Sequence, residues 1–539
     1  MNCIFICCFI NENYIKMLLM LLESIYIYGN LNDDTDILIY TSIDFSNKIK
    51  ESHLFNKKIK FEINDNIKFV EELYFENIRL ACRSRYDFFK LESSSKYVKV
   101  LYLDLDILVK GDLNSVFDLA KKNIIYVLEE GKIDSTSNDK SHWGKELFGD
   151  EVNIYEDKTA FTSGIILFNN CNKVKFLFEQ SVETMITETR ESIRLNDQPY
   201  LIYNAFKHQL YDNKILKDFA VNRDYDVNSS KTIHHFPGGP GCYKNKINNI
   251  PEFLKELKEC TINLNIKKTK QFIDEYLFPI INRCNEPLEG NIFTYPRTIK
   301  YKEGAYLNRQ KNISNLVLNK NIKNVLEIGF NSGFSALLML ISNPLLKITC
   351  LDLYEHTYSL QCYKKIKEVF GDRIKMIKGD STKVLKIINS KYDLIHIDGG
   401  NTSKVIKSDI LNSYRLSKPG TILIMNDYNL KNIRYLWDMY VNLYDLKNLD
   451  IHIYKSPHHD IKYVPYSFEN KNKDSDIGKF LDSILNSDPD MNKIVNSVLD
   501  NIVDNVVDAN KIFDNDIDVD KIVNNDDNAN KIVETSENK

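Results

Sequence analysis

The chain has 539 residues, enough for about three folding units at roughly 100–200 residues each. Hydrophobic residues make up 43% and charged residues 27%, an ordinary globular balance that excludes a wholly disordered chain. The formal net charge of -4 carries no basic excess of the kind nucleic-acid binders show, and no apolar run reaches the about 18 residues of a membrane span.

In chain order, the run CIFICCFI from Cys3 predicts a buried first strand. It has no basic leader and no small-residue cleavage site, so it is not read as a signal peptide. A helix over Tyr14–Tyr28 and the strand DILIYTS follow. VKVLYLDLDILV, IIYVLEE and FTSGIILFNN are further strands, and this rhythm predicts an α/β sheet domain over residues 1–250. Residues 251–290 are charged and helical, with Pro251, Pro279, Pro287 and the nearby Pro296 as breakers, and read as a connector. A second βα series fills residues 291–465, with NVLEIGF, KITCLDL, IKMIKGD, YDLIHIDGG and TILIMND as its strands.

Residues 466–539 turn Asn/Asp/Lys-rich. Val495, Leu499, Val503 and Val507 recur on one helical face, and Lys511, Lys521 and Lys531 mark a repeat. The tail reads as low-complexity and partly disordered, with an oligomerising or partner-docking helix as the alternative. Residues 491–539 hold 5 basic and 11 acidic residues, a net of -6, which leaves +2 for residues 1–490. The acidic balance therefore belongs to the tail. Ten scattered cysteines form no CxxC pair, which argues against a zinc knuckle and fits reduced thiols in a cytoplasmic setting. Abundant Asn, Ile, Lys and Tyr fit an AT-rich genome, such as that of a large DNA virus or an AT-rich microbe.

The most informative segment of the first half is Tyr102-Leu103-Asp104-Leu105-Asp106, at the end of an apolar strand. Alternate strand residues share a face, so the two carboxylates are expected to point into one crevice. Their repulsion calls for a cation, and hard oxygen ligands suit Mg²⁺ or Mn²⁺. Two solvated turn carboxylates are the alternative; the strand context and the following Lys110-Gly111-Asp112-Leu113 favour the metal.

This segment resembles the GT-A glycosyltransferases of family 8, the glycogenin and lipopolysaccharide galactosyltransferase type. Phe161-Thr162-Ser163-Gly164 is similar to the family's donor-sugar strand, and Asn196-Asp197-Gln198 to its DQ motif. His235-Phe236-Pro237-Gly238-Gly239 resembles the late motif whose His is the third metal ligand, with His234 as the competing choice. The resemblance implies a retaining sugar transfer from a nucleotide-sugar, a UDP-sugar by type. It implies a metal at Asp104, Asp106 and His235. It implies donor contacts from Asn13, Tyr14, Arg85, Tyr102, Leu103, Thr162, Ser163 and Gly164, and places Asp197 and Gln198 at the anomeric carbon. The Gly238-Gly239-Pro240-Gly241 run suits close approach of backbone N–H groups to phosphate, with Lys244 adding charge. Thr162 replaces the family's usual Asn, which leaves the donor sugar open.

In the second half, Glu327-Ile328-Gly329-Phe330-Asn331-Ser332-Gly333 joins a strand to a helix through a glycine turn. The next strand ends at Asp352, where an acid can bind ribose hydroxyls. The dinucleotide fingerprint GxGxxG is absent, which counts against NAD. This half resembles the class I S-adenosylmethionine methyltransferases, nearest to the macrocin and cephalosporin hydroxyl methyltransferases. The resemblance implies cofactor contacts from Glu327, Gly329, Asn331, Ser332, Gly333, Asp352, Asp380 and Asp398. Lys418-Pro419-Gly420 matches the family's turn before a strand, here ending Asn426-Asp427. Asn401 replaces the family's His and Asn426 the first acid of its pair. Asp398 and Asp427 are therefore candidates for Mg²⁺, and a metal-free site stays open beside them.

Together these readings predict a bifunctional glycan-synthesis enzyme, transferring a sugar to a glycan or glycoconjugate acceptor and O-methylating the product. The alternatives are a methyltransferase acting on a small molecule or protein, or a chain in which one domain is only a scaffold.

Overall fold

The computed structural model describes residues 1–67, 74–133, 143–155, 158–188, 197–238 and 243–466. The tail beyond Tyr466, with its repeats and helical face, lies outside the described residues, as do Asn196 and Gly239. The chain divides into two compact units. The first is Met1–Leu264 with Leu318–Asn321 and Asp450–His452, and the second takes the rest from Asn265.

In the first unit the strands are β1 (Asn2–Cys8), β2 (Thr35–Thr41), β3 (Ile59–Ile63), β4 (Lys99–Leu103), β5 (Ile107–Val109), β6 (Ile125–Lys132), β7 (Thr159–Asn169), β8 (Tyr211–Asp212), β9 (Ala220–Asn222) and β10 (Ile233–His235). A seven-stranded sheet runs β3-β2-β1-β4-β7-β6-β8, and a small sheet runs β5-β10-β9. β1 to β4 are mutually parallel and β7 enters antiparallel between β4 and β6. Apolar residues fill both faces of the large sheet. Phe5, Phe88 and Phe168 sit on one, and Ile4, Leu101 and Leu167 on the other. The helix Glu12–Tyr28 starts on Asn11, whose side chain accepts the Asn13 N–H. It carries the buried Glu23, which pairs with buried Lys258 at 2.6 Å.

Two local expectations change. The run from Val98 to Val109 was expected as one strand. It is two strands in two sheets, with a turn across residues 104–106. Pro251 was expected as a breaker but lies inside the helix Tyr243–Phe272. A proline removes one backbone donor, and a helix of 30 residues retains the rest of its ladder. Pro279 starts the helix Phe278–Cys284, where a missing N–H costs nothing.

In the second unit the strands are β11 (Asn324–Ile328), β12 (Lys347–Asp352), β13 (Ile374–Lys378), β14 (Tyr392–Ile397), β15 (Ser417–Met425) and β16 (Asp460–Tyr463). They form one sheet in the order β13-β12-β11-β14-β15-β16, parallel except for β16. The order reverses between β11 and β14, and ligands bind such sheets at the carboxyl ends of the strands beside this point. Lys418-Pro419-Gly420, expected as a turn before the last strand, lies within β15. The β14–β15 register shifts there and Gly420 takes φ +82°. Among the described residues no helix is long and apolar enough to cross a membrane.

Candidate active sites

The turn after β4 redirects the chain from the large sheet into the small one. Antiparallel pairing of β5 with β10 sets His235 opposite Ile107, and the Phe236 N–H donates to the Asp106 carbonyl. The ligand atoms of Asp104, Asp106 and His235 consequently all lie within 4.8 Å of one another. The carboxylates converge through this turn and register, not through strand alternation. Asp106 and His235 are buried, while the Asp104 side chain is about one quarter exposed (26%). Oxygen, oxygen and imidazole nitrogen in this arrangement fit a divalent ion.

Gly164 of β7 makes room for the cluster. A Cβ there would meet His235 Cε1 at 2.6 Å, His235 Nε2 at 2.8 Å and Asp104 Oδ2 at 2.9 Å. Gly164→Ala is expected to cost about 1–3 kcal/mol by overpacking and to weaken Mn²⁺ binding. Thermal denaturation with and without Mn²⁺ reads both effects, and an unchanged Mn²⁺ shift would mean that the metal binds elsewhere.

His235 Nδ1 faces Asn222 Oδ1 at 2.8 Å, through the parallel pairing of β10 with β9. A proton on Nδ1 leaves the Nε2 lone pair, 3.4 Å from Asp106, for a metal. Asn222→Ala is expected to weaken Mn²⁺ binding about 10–100-fold, as measured by titration calorimetry. Unchanged affinity would detach Asn222 from the site.

The cation on Asp106 is Lys246, which sequence reasoning missed. Lys244 lies on the same helix, with its side chain outside the described residues. Lys246 Nζ binds Asp106 Oδ2 directly and the Gly238 carbonyl at 3.1 Å. Burial alone would raise the Asp106 pKa, but His235 and Lys246 outweigh it and hold the carboxylate below its usual range.

Arg85 ties the cluster to Asp197. Its guanidinium lies 3.3 Å from Asp104 Oδ1 and 3.1 Å from Asp197 Oδ2, donates to the Ser163 carbonyl at 2.7 Å, and covers the Tyr102 ring. Burial would lower the Arg85 pKa, yet Asp104 and Asp197 raise it well above the usual value, so the charge is fixed. The Tyr86 hydroxyl donates to Asp197 Oδ2 at 2.9 Å. Gln198 Oε1 accepts the Ser163 N–H at 2.9 Å. Asp197, Gln198, Ser163, Gly164 and Tyr102 thus form one continuous site with Asp104, Asp106 and His235. Leu103 is fully buried in the core, and Thr162 is buried with its hydroxyl accepting the Gly164 N–H at 3.2 Å. Tyr14 packs with Leu105 against a cluster that includes Phe236, while Asn13 lies in the first turn of its helix.

In the second unit the glycine turn follows β11. Gly329 has φ +94° and Gly333 φ +72°, both in the region that favours glycine. The carboxylate expected to meet ribose is engaged with this turn. Asp352 Oδ2 accepts the Phe330 and Asn331 N–H groups, each at 2.8 Å, and Oδ1 accepts the Tyr354 N–H at 2.7 Å. Glu327 is fully buried and faces inward, to His396 Nδ1 at 3.1 Å and Cys350 Sγ at 3.6 Å, rather than to the turn. Asn331 is held by Tyr358 at 2.8 Å, and Asp380 caps the short helix Ser381–Val384. Ser332 is buried and its hydroxyl has no partner, a polar atom left over at the turn. That buried hydroxyl without a partner fits a polar cofactor.

Asp398 and Asp427 line one pocket, at the ends of β14 and β15, together with Asn401, Asp409 and Asn426. Burial pushes the Asp398 carboxyl up to about 6, with His396 and Arg309 opposing the shift. Two cations nearby were not anticipated. Arg309 Nη2 binds Asn426 Oδ1, and its Nη1 lies 3.8 Å from Asp427 Oδ1. Lys302 is buried, with its ammonium on the Asn291 carbonyl, and burial lowers its pKa to about 8.

Residues 3–234 match the family model described as glycosyl transferase family 8, and residues 326–428 match that of a methyltransferase domain. No curated protein matches. Among solved structures, the apo WbbM bifunctional glycosyltransferase is 14% identical, covers 48% of this chain and 51% of its own, and gives a TM-score of 0.33. The present chain therefore spans about half of that relative. The galactosyltransferase LgtC, in complex with donor and acceptor sugar analogs, is 15% identical over 48% of this chain and 96% of its own, at TM-score 0.32. A putative caffeoyl-CoA O-methyltransferase from Staphylococcus aureus is 17% identical over 38% of this chain and 98% of its own, at TM-score 0.28.

Proposed function

We propose that this chain, which joins a family 8 glycosyltransferase domain of GT-A-like fold to a methyltransferase domain, is a bifunctional enzyme of glycan synthesis. The assigned activities are sugar transfer from a UDP-sugar by residues 1–250 and S-adenosylmethionine-dependent O-methylation of the glycan by residues 291–465. Residues 251–290 connect them and residues 466–539 are an appendage. The observation that carries the reading is the convergence of Asp104, Asp106 and His235 beside Gly164.

A Mn²⁺ or Mg²⁺ ion held by these residues would offset the charge leaving on the nucleoside diphosphate. The chain's own residues do the rest. Arg85 fixes Asp197 beside the donor pocket, and Gln198 is held against Ser163. Asp197 and Gln198 are assigned to the anomeric carbon. Lys246 sits on Asp106 and is assigned to the diphosphate when donor and metal enter. Asn13 and Tyr14 are assigned to the base, and Gly238, Gly239 and Lys244 to the phosphates.

In the second domain, S-adenosylmethionine held by Gly329, Asn331, Ser332 and Gly333, with Asp352 and Asp380 at the rim, would supply an electrophilic methyl group to an acceptor hydroxyl, whose proton would pass to solvent. The pocket with Asp398 is assigned to the acceptor. Fusion raises the local concentration of one domain's product at the other. Incubation with UDP-sugars, Mn²⁺ and methyl-labelled S-adenosylmethionine tests the coupling. Label on a newly made glycan is expected. Label only on protein or on a small molecule lacking the new sugar would sink it.

A further inference from the structure

A buried cation, Arg309, stands against Asn426 and Asp427, two of the residues that line the pocket of Asp398. Asn426 is the link. Its carbonyl oxygen accepts from Arg309 and its amide nitrogen donates to Asp398 Oδ1. An amide can do both at once, whereas a carboxylate in that position would accept from Arg309 and repel Asp398. The guanidinium also lies 3.8 Å from Asp427. Arg309 is 7% exposed, and its Nε–H is buried without a partner. Asp427 faces the guanidinium directly, and Asp398 is joined to it through Asn426.

The donor set does not suit a divalent ion. Asp398 Oδ1 is engaged by Asn426, and Asp427 Oδ1 is the oxygen nearest Arg309. A third acid is missing at 426. Among the described residues, the one converging group of three metal-ligating side chains is Asp104, Asp106 and His235. Arg309 supplies a positive charge beside Asp427 and, through Asn426, beside Asp398, while buried Asp409 is a further carboxyl of the lining. Buried Lys302 adds a further positive charge close by, since it acts electrostatically on the same groups. A divalent ion bound at Asp427 would meet the Arg309 guanidinium beside it, where repulsion in a partly buried site is strong.

We infer that Arg309, tied to Asp398 through Asn426, is the built-in cation of the second domain's acceptor pocket, so that this domain works without a divalent metal. The inference rests on the methyl-transfer reading of this pocket. Arg309 is a positioning residue. It holds Asn426, and through it Asp398, and faces Asp427. The sugar-transfer domain would then be the sole metal-dependent half of the chain.

Counting bound Mn²⁺ on the full chain by electron paramagnetic resonance tests this directly. The wild type is expected to bind one ion per chain. The variant Asp104→Ala plus Asp106→Ala is expected to bind none, with its melting transition retained. An ion near one equivalent in that variant, lost on further substitution of Asp398→Ala, would overturn the inference. In the same background, Arg309→Ala plus Asn426→Asp removes the cation and restores an acid. A gain of about one Mn²⁺ per chain is expected. No gain by a variant that still melts cooperatively would mean that Arg309 does not stand in a cation's place. These counts need no acceptor and no turnover. If S-adenosylmethionine fails to stabilise the wild type against heat, the methyl-transfer reading falls, while the metal count still decides the role of Arg309.

Discussion

Asp106→Asn is expected to slow Mn²⁺-dependent UDP release by about 10²–10³-fold, the usual loss when one preorganised electrostatic group is removed from a reacting centre. Asp106 contributes a ligand oxygen and a full charge to the cluster. The substitution keeps the shape and removes the charge. His235 and Lys246, which hold that carboxylate ionised, would then face a neutral amide. Mn²⁺ affinity should fall with the rate, and titration calorimetry separates this from a binding defect of the donor. The fold should persist, because the Asp106 backbone carbonyl still accepts from Phe236 and β5 still pairs with β10. A variant with wild-type UDP release would remove the metal from the proposed chemistry. A variant that binds Mn²⁺ normally but releases no UDP would move Asp106 from ligand to a direct role at the phosphate.

The acids of this cluster were legible in the sequence because a short apolar strand ends on them. Their convergence was not, for it depends on a turn between two sheets and on a register set by His235, far along the chain. Asn222 was hidden too, an ordinary asparagine until the parallel pairing of β9 with β10 sets it beside His235. Lys246 was missed in favour of Lys244 because spacing within a glycine-rich stretch does not say where the following helix starts. In the second domain the glycine turn and the five parallel strands could be read from local pattern. β16 could not, since its four residues, Asp460 to Tyr463, alternate polar and apolar over too short a run to mark a strand. Glu327 shows the limit of motif reading: its position next to the turn was visible, but its inward orientation follows from the neighbouring strands that supply His396 and Cys350. Asn426 was visible as a departure from an acidic pair. Its reason, Arg309, stands more than one hundred residues earlier (separation 117) and carries no signal of its own.

Gly329→Ala is expected to abolish the stabilisation of the second domain by S-adenosylmethionine. The residue has φ +94°, where an L side chain is strained. The added Cβ would lie 2.0 Å from the Asp398 carbonyl oxygen and 2.7 Å from its carbon. These are backbone atoms at the end of β14, held by the bond from the Asp398 N–H to the Ile328 carbonyl at 2.9 Å. No rotamer change relieves the collision, so β11 and β14 must separate where the pocket forms. Strain and overpacking together should cost about 3 kcal/mol or more. For the wild type, cofactor at 100 times its Kd should add about 2.7 kcal/mol of stability. Denaturation with and without S-adenosylmethionine therefore gives a clear contrast: a shift for the wild type and none for the variant. Mn²⁺ binding by Asp104, Asp106 and His235 should be unchanged, which separates a local lesion from general misfolding. A variant that keeps the wild-type cofactor shift would place the cofactor away from this turn, and the assignments of Asn331, Ser332 and Gly333 would fall with it.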